Sequence, residues 1–198
     1  MNIPNKLTLS RVIMTPVFMA AMILQKIPFN YTAALILFVA AALTDLFDGK
    51  IARSRNLVTN FGKFLDPLAD KMLTTAAFLG FIVIMPSDNY AVQITVITFI
   101  TLFREFAVSS MRLIAVSGET KKVIPANMWG KLKTVTQMAC IISGLAAYSV
   151  KEIIPSAGFL SSLLLTVFIV TAWISAFFTV ISGVIYLYGS RELIDSSK

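Results

Sequence analysis

Apolar residues run in long blocks along this chain, and polar residues gather at the block ends instead of alternating within them. Six blocks stand out, at about residues 12–24, 31–54, 61–85, 91–114, 128–150 and 159–188. Most are far longer than a typical strand and close to the roughly 20 residues a helix needs to cross a bilayer. Polar or proline-containing turns separate them around Gln25–Asn30, Pro86–Tyr90, Val116–Ala126 and Pro155–Gly158. The pattern predicts an all-α fold, an integral membrane bundle of six transmembrane helices forming a single domain over 1–198. Residues 1–11, M-N-I-P-N-K-L-T-L-S-R, mix apolar and polar groups. Pro4 suits a first helical turn, and Lys6 and Arg11 suit an anionic surface, so an N-terminal amphipathic interfacial segment is expected before the first span.

The second and third blocks are polar in one half only. Tyr31–Thr44 is uncharged over 14 residues, about 21 Å of helix, and Asp45, Asp48 and Arg53 follow. The third block mirrors it, with Gly62–Lys71 polar and Met72–Met85 uncharged. In an antiparallel pair the two polar halves are level. Asp45, Asp48, Asp66 and Asp70 make up four of the ten acidic residues. Spacings of three and four put Asp45, Asp48, Gly49 and Ala52 on one helix face, and Gly62, Asp66 and Asp70 on another.

Composition agrees with a membrane protein: 57% of residues are apolar and 14% charged, with a mean hydropathy of +0.82. The net charge of +7 points to anionic lipid or a phosphorylated substrate, and no aromatic and basic interleaving on a soluble surface suggests nucleic acid. Placing Asp45 on the inside leaves only Lys26 and Lys151 opposite, of 17 lysines and arginines. Both termini and the aspartates are therefore expected to face the cytoplasm. The first block, with Arg11 and no small-residue cleavage pattern, reads as a retained helix. The single cysteine, Cys140, lies in an apolar run, which excludes a disulfide framework and suits inert packing.

Clustered carboxylates repel unless cations neutralise them, and oxygen-only ligands in a chain without histidine favour magnesium, manganese or calcium over zinc. Gly49, Ala52 and Gly62 allow a ligand to approach the backbone, and Arg53 adds a cation. Together they describe a metal-diphosphate site.

The string Asp45-x-x-Asp48-Gly49-x-x-Ala52-Arg53, eight residues, Gly62-x-x-x-Asp66-x-x-x-Asp70 resembles the complete signature of the CDP-alcohol phosphatidyltransferases. The resemblance implies phosphatidyl transfer from CDP-diacylglycerol to an alcohol, with Mg2+ or Mn2+, two ions, held by Asp45, Asp48 and Asp66. It gives Asp70 the role of base while allowing it to touch a metal, and assigns Gly49, Ala52, Arg53 and Gly62 to the nucleotide pocket. A homodimer in the bacterial cytoplasmic membrane is implied as well. With no histidine available as nucleophile, direct attack by the alcohol is favoured over a phosphatidyl-histidine intermediate.

Ser109, Arg112, Lys131 and Lys133 lie near the cytoplasmic ends of the fourth and fifth blocks, where they could bind the phosphate of a phosphorylated acceptor or simply contact anionic lipid. Arg104 and Glu105 are expected to partner other helices. The strings N-I-P-N-K-L-T-L-S-R, F-L-D-P-L-A-D-K and W-G-K-L-K-T resemble the phosphatidylglycerophosphate synthase branch of the family. That branch implies sn-glycerol 3-phosphate as acceptor, with Asn5, Thr8 and Arg11 helping to line the site. Serine or inositol phosphate as acceptor, a membrane prenyltransferase and a cation transporter are the competing readings.

Overall fold

A computed structural model of the protein describes residues 3–54, 60–85, 89–117 and 128–189, with the side chains of 3, 4, 6, 45–54, 60–64, 66, 67, 70 and 112–117 excepted. Six helices make up the described chain: α1 (Ile3–Ile23), α2 (Asn30–Ser54), α3 (Asn60–Ile84), α4 (Asn89–Ser117), α5 (Met128–Ile153) and α6 (Gly158–Gly189). No strand occurs among the described residues. The all-α expectation therefore stands.

α1 is one unbroken helix from Ile3 to Ile23, with Pro4 in its first turn. Its polar positions Asn5, Thr8 and Arg11 are buried. They begin a stripe at helical spacing that continues through Thr15, Phe18 and Met22, all covered by α2 and α3. Pro16 falls on the exposed side of the same helix.

Among the described residues, two helices carry apolar stretches long enough to cross a membrane, Asn89–Met111 in α4 and Gly158–Gly189 in α6. Leu7–Ile23, Asn30–Thr44 and Lys71–Ile84 are shorter apolar stretches. Large apolar side chains also cover the outside, among them Phe99, Phe103 and Phe106 of α4 and Phe159, Val170 and Phe177 of α6. Such surface suits a lipid environment, and the protein is a membrane protein.

The core joins all six helices through Phe18, Phe38, Phe81, Ile97, Ile141 and Phe168. α5 and α6 form the most closely packed hairpin. Ser161 Oγ donates to the Ala147 carbonyl at 3.0 Å, and Cys140 Sγ donates to the Phe168 carbonyl at 3.5 Å. Gly144 lets the rings of Phe81 and Phe168 meet across α5, with centroids 4.6 Å apart. Small residues at such crossings bring backbones close enough for dispersion to act without a hydrophobic driving force.

Candidate active site

Asp45 and Asp48 belong to α2, and Asp66 and Asp70 to α3. Their side chains lie outside the described residues, as do those of Ala52, Arg53 and Arg112, together with Gly49 and Gly62. Backbone register still locates them. Phe18 packs on Phe38 across the antiparallel α1–α2 pair. Equal steps along both helices from that contact bring Arg11 about level with Asp45, and Thr8 with Asp48. On the parallel α1–α3 pair, a Cβ built on Gly80 would lie 2.4 Å from Met22 Sδ. Equal steps back from there bring Thr8 about level with Asp66, and Arg11 with Ala69 and Asp70. Two layers result, one at Thr8 and one at Arg11, each holding one aspartate position from either helix.

Between these helices α1 presents its polar stripe. Asn5, Thr8, Arg11 and Thr15 are all buried, Arg11 at 1% exposure. Thr15 Oγ1 donates to the Arg11 carbonyl at 2.9 Å. Burying a guanidinium is costly unless other groups answer its charge, so the polarity of this layer is built into the fold. Asn5, Thr8 and Arg11, expected to help line the site, thus occupy the face of α1 that meets the aspartate-bearing helices.

The donor set fits a hard divalent cation. Two carboxylate positions on each of two neighbouring helices offer oxygen only, and imidazole is absent from the chain. Among the described residues no group of three or more histidine, cysteine, aspartate or glutamate side chains is gathered, and the four aspartate side chains are not in that set.

A second polar group lies on α3, α4 and α5. Lys71 Nζ stands 3.5 Å from Glu105 Oε2, and Arg104 Nη1 donates to Glu105 Oε1 at 2.9 Å. Lys133 Nζ donates to the same Oε1. Lys71 also donates to Ser109 Oγ, which in turn donates to the Glu105 carbonyl at 2.6 Å. Lys133 is 9% exposed at its side chain, and Arg104 and Glu105 are 17% exposed. Gly183 makes room for Arg104: a Cβ there would come within 3.1 Å of its Cγ, whereas one on Gly130 would make ordinary contact with its Nη2 at 3.8 Å.

Register ties this group to the aspartates. α3 and α5 run parallel, and a Cβ on Gly144 would lie 2.6 Å from Phe81 Cζ. Equal steps back along both helices place Lys133 about level with Asp70, whose neighbour in sequence is Lys71. Of the four residues expected to bind the acceptor phosphate, Ser109 and Lys133 are brought together. Lys131 is exposed, because two residues along a helix point to a different face. Arg112 lies outside the described side chains. Arg104 and Glu105 do partner other helices, and they also pair with each other. Lys71 was missed as a site candidate, although its position directly after Asp70 was a signal. Next to this group, Phe99, Phe103, Ala107, Val180, Gly183 and Val184 line an apolar groove of about 240 Å³ between α4 and α6, with Arg104 on its wall.

An apolar helical bundle with carboxylate positions and cations gathered in one polar zone suits a membrane enzyme acting on a phosphorylated lipid. The chain belongs to the CDP-alcohol phosphatidyltransferase family, whose model matches residues 1–181. It is 39% identical, in an alignment covering 100% of this chain and 99% of the relative, to the CDP-diacylglycerol–glycerol-3-phosphate 3-phosphatidyltransferase of Bacillus subtilis (strain 168). Proteins of the same name from Rickettsia bellii (strain RML369-C) and Rickettsia felis (strain ATCC VR-1525 / URRWXCal2) are 36% and 38% identical, each over 96% of both chains.

Proposed function

We propose that this protein transfers the phosphatidyl group of CDP-diacylglycerol to sn-glycerol 3-phosphate, giving phosphatidylglycerophosphate and CMP. The observation that carries this reading is the full-length similarity to relatives named for that reaction, from distant bacteria. The cations gathered level with Asp70 support a phosphorylated acceptor over serine, which carries no phosphate and no net charge.

The reaction balances with few parts. The acceptor hydroxyl oxygen bonds to the phosphatidyl phosphorus, the bond from that phosphorus to the CMP oxygen breaks, and Asp70 takes the hydroxyl proton. Asp45, Asp48 and Asp66 would hold two divalent ions, Mg2+ or Mn2+, with Asp70 as a further contact. When bound, such ions neutralise charge on the diphosphate and on the departing CMP. Gly49, Ala52, Arg53 and Gly62 would form the nucleotide pocket. Ser109 and Lys133, together with Lys71, would hold the acceptor phosphate and thereby aim its hydroxyl, with Arg112 at the same end of α4. The apolar groove between α4 and α6 suits an acyl chain.

In this reading all six helices cross the bacterial cytoplasmic membrane, with the termini and the site on the cytoplasmic side where basic residues are concentrated. A homodimer is part of the reading. The decisive experiment incubates purified protein with CDP-diacylglycerol and magnesium, and measures CMP release with sn-glycerol 3-phosphate, serine, inositol phosphate or no acceptor. Release with sn-glycerol 3-phosphate alone is the expected result. Release with another alcohol would keep the chemistry and overturn the acceptor; no release from folded protein with any acceptor would overturn both.

A further inference from the structure

A polar cavity opens at the end of the bundle far from the aspartates, with about 21 Å along α2 separating Tyr31 from Asp45. Gln25, Asn30, Tyr31, Tyr148, Lys151 and Glu152 line it, and its volume is about 480 Å³. Pockets that take small ligands span roughly 300–1,000 Å³. The charges on its wall form one pair of opposite sign. Glu152 Oε2 accepts from the Thr32 N–H and hydroxyl, while Oε1 accepts from no described residue. Lys151 is exposed, and its ammonium makes no ion pair or hydrogen bond with a described residue. The Tyr31 and Tyr148 rings, with centroids 5.0 Å apart, stand where α2 meets α5. Directly beside these residues in sequence the surface is apolar: Leu24 and Phe29 flank the α1–α2 turn, Ile153 and Ile154 follow Glu152, and all four are exposed. Phe29 also holds φ at 56°, an outlier for an aromatic residue, although its exposed side chain fills no core position. A water-soluble ligand has no use for such a rim. A lipid does, with its headgroup in the cavity and its chains over the apolar side chains, at the depth where tyrosines sit in membranes.

We propose that this cavity is a lipid-binding site separate from the reaction site, and that it takes a phospholipid whose headgroup carries a primary ammonium beside its phosphate. The ammonium donates to Glu152 Oε1 and lies against the Tyr31 and Tyr148 rings; the phosphate accepts from Lys151, with the Gln25 amide beside it. Charge decides the class of headgroup. An anionic headgroup would satisfy Lys151 and bring like charge to Glu152, and a bare cation would do the reverse. A zwitterion matches both groups. Once bound, it joins the α1–α2 turn to the end of α5, so it stabilises the folded chain by mass action.

The test follows thermal unfolding of the full chain in detergent as dioctanoyl phosphatidylethanolamine, dioctanoyl phosphatidylglycerol or free phosphoethanolamine is added. Wild type is compared with Glu152→Gln, Lys151→Gln and Lys26→Gln, each against its own ligand-free Tm, so that a weakened Thr32 contact does not enter the comparison. Phosphatidylethanolamine is expected to raise Tm saturably, with half the effect at a concentration at least about 10-fold below that needed with either other probe. Glu152→Gln and Lys151→Gln are each expected to raise that concentration on the order of 10-fold, the loss of one charge-assisted contact. Lys26→Gln, at the same end of the bundle and outside the cavity, should stay within about twofold of wild type. A phosphatidylglycerol effect as large, and as sensitive to the two cavity variants, would overturn the choice of a zwitterion. Free phosphoethanolamine as potent as the lipid would overturn a lipid as occupant. Wild-type behaviour of both cavity variants, or no shift with any probe, would overturn the site. If Glu152→Gln does not fold, Lys151→Gln, at an exposed position, decides alone. No readout here involves CMP release, so the proposal stands or falls apart from the transfer reaction.

Discussion

Phe18 of α1 and Phe38 of α2 pack with ring centroids 5.6 Å apart and planes at 50°. The contact sets the register of the first hairpin, and through it Arg11 arrives about level with Asp45. An arginine at 1% exposure is tolerated at that depth only as part of a charged or hydrogen-bonded layer. Arg11→Met keeps much of the stem volume and removes the charge. It is expected to cost about 3 kcal/mol or more in stability and to lower CMP release at least about 10-fold. Thermal unfolding in detergent and a CMP assay check both, and wild-type values in the two would separate Arg11 from the aspartate layer.

Removal of divalent metal is the simplest test of the aspartate positions. Dialysis against EDTA is expected to abolish CMP release, and Mg2+ or Mn2+ to restore it, since an all-oxygen donor set selects hard cations. Recovery with zinc alone would contradict the donor chemistry.

Asp70→Asn separates proton acceptance from substrate binding. The amide cannot take the hydroxyl proton, so turnover is expected to vanish while the affinity for CDP-diacylglycerol stays near wild type. Equilibrium binding of labelled CDP-diacylglycerol provides the comparison. Loss of binding in proportion to loss of rate would move Asp70 from base to metal ligand.

The ease with which sequence revealed these elements varied for physical reasons. The polar halves of α2 and α3 were legible because Asp45, Asp48, Asp66 and Asp70 interrupt apolar runs, and charge within such runs has few innocent explanations. At the start of α1, alternating polar and apolar residues define two faces without saying which one is covered. Asn5, Thr8 and Arg11 turned out to be on the covered face. The Lys71–Glu105–Lys133 group was not legible, since a pairing between helices depends on which faces meet. Helical spacing did contain the reason that Lys133 is buried and Lys131 exposed, but only packing selects between them.

Gly144 is where the core tolerates least. A Cβ there would sit 2.6 Å from Phe81 Cζ and 2.7 Å from Phe168 Cδ2, and both rings are fully buried. Gly144→Ala is expected to cost about 1–3 kcal/mol through overpacking and to lower Tm. Gly158→Ala, with nothing within 4 Å of the added carbon, is the control and should leave Tm nearly unchanged. Equal shifts would mean that helix propensity, and not the Phe81–Phe168 contact, sets the effect.

Glu152, in the last turn of α5, acts as a cap for α2. Its Oε2 accepts from the Thr32 backbone N–H at 3.2 Å and from Thr32 Oγ1 at 3.0 Å, while Thr32 Oγ1 also shares a hydrogen bond with Ser149 Oγ at 2.8 Å. A free N–H at a helix start is one of the groups no intrahelical carbonyl can satisfy, and here a distant helix supplies the acceptor. Negative charge near that end also complements the helix dipole. Glu152→Ala should therefore cost about 1 kcal/mol. Because Thr32 and Glu152 touch, Thr32→Val and Glu152→Ala should not add, with a coupling of about 0.5 kcal/mol or more in a double-mutant cycle followed by thermal unfolding. Strict additivity would mean that water replaces the carboxylate at no cost and that the α2–α5 contact at this end rests on the tilted Tyr31 and Tyr148 rings, 5.0 Å apart.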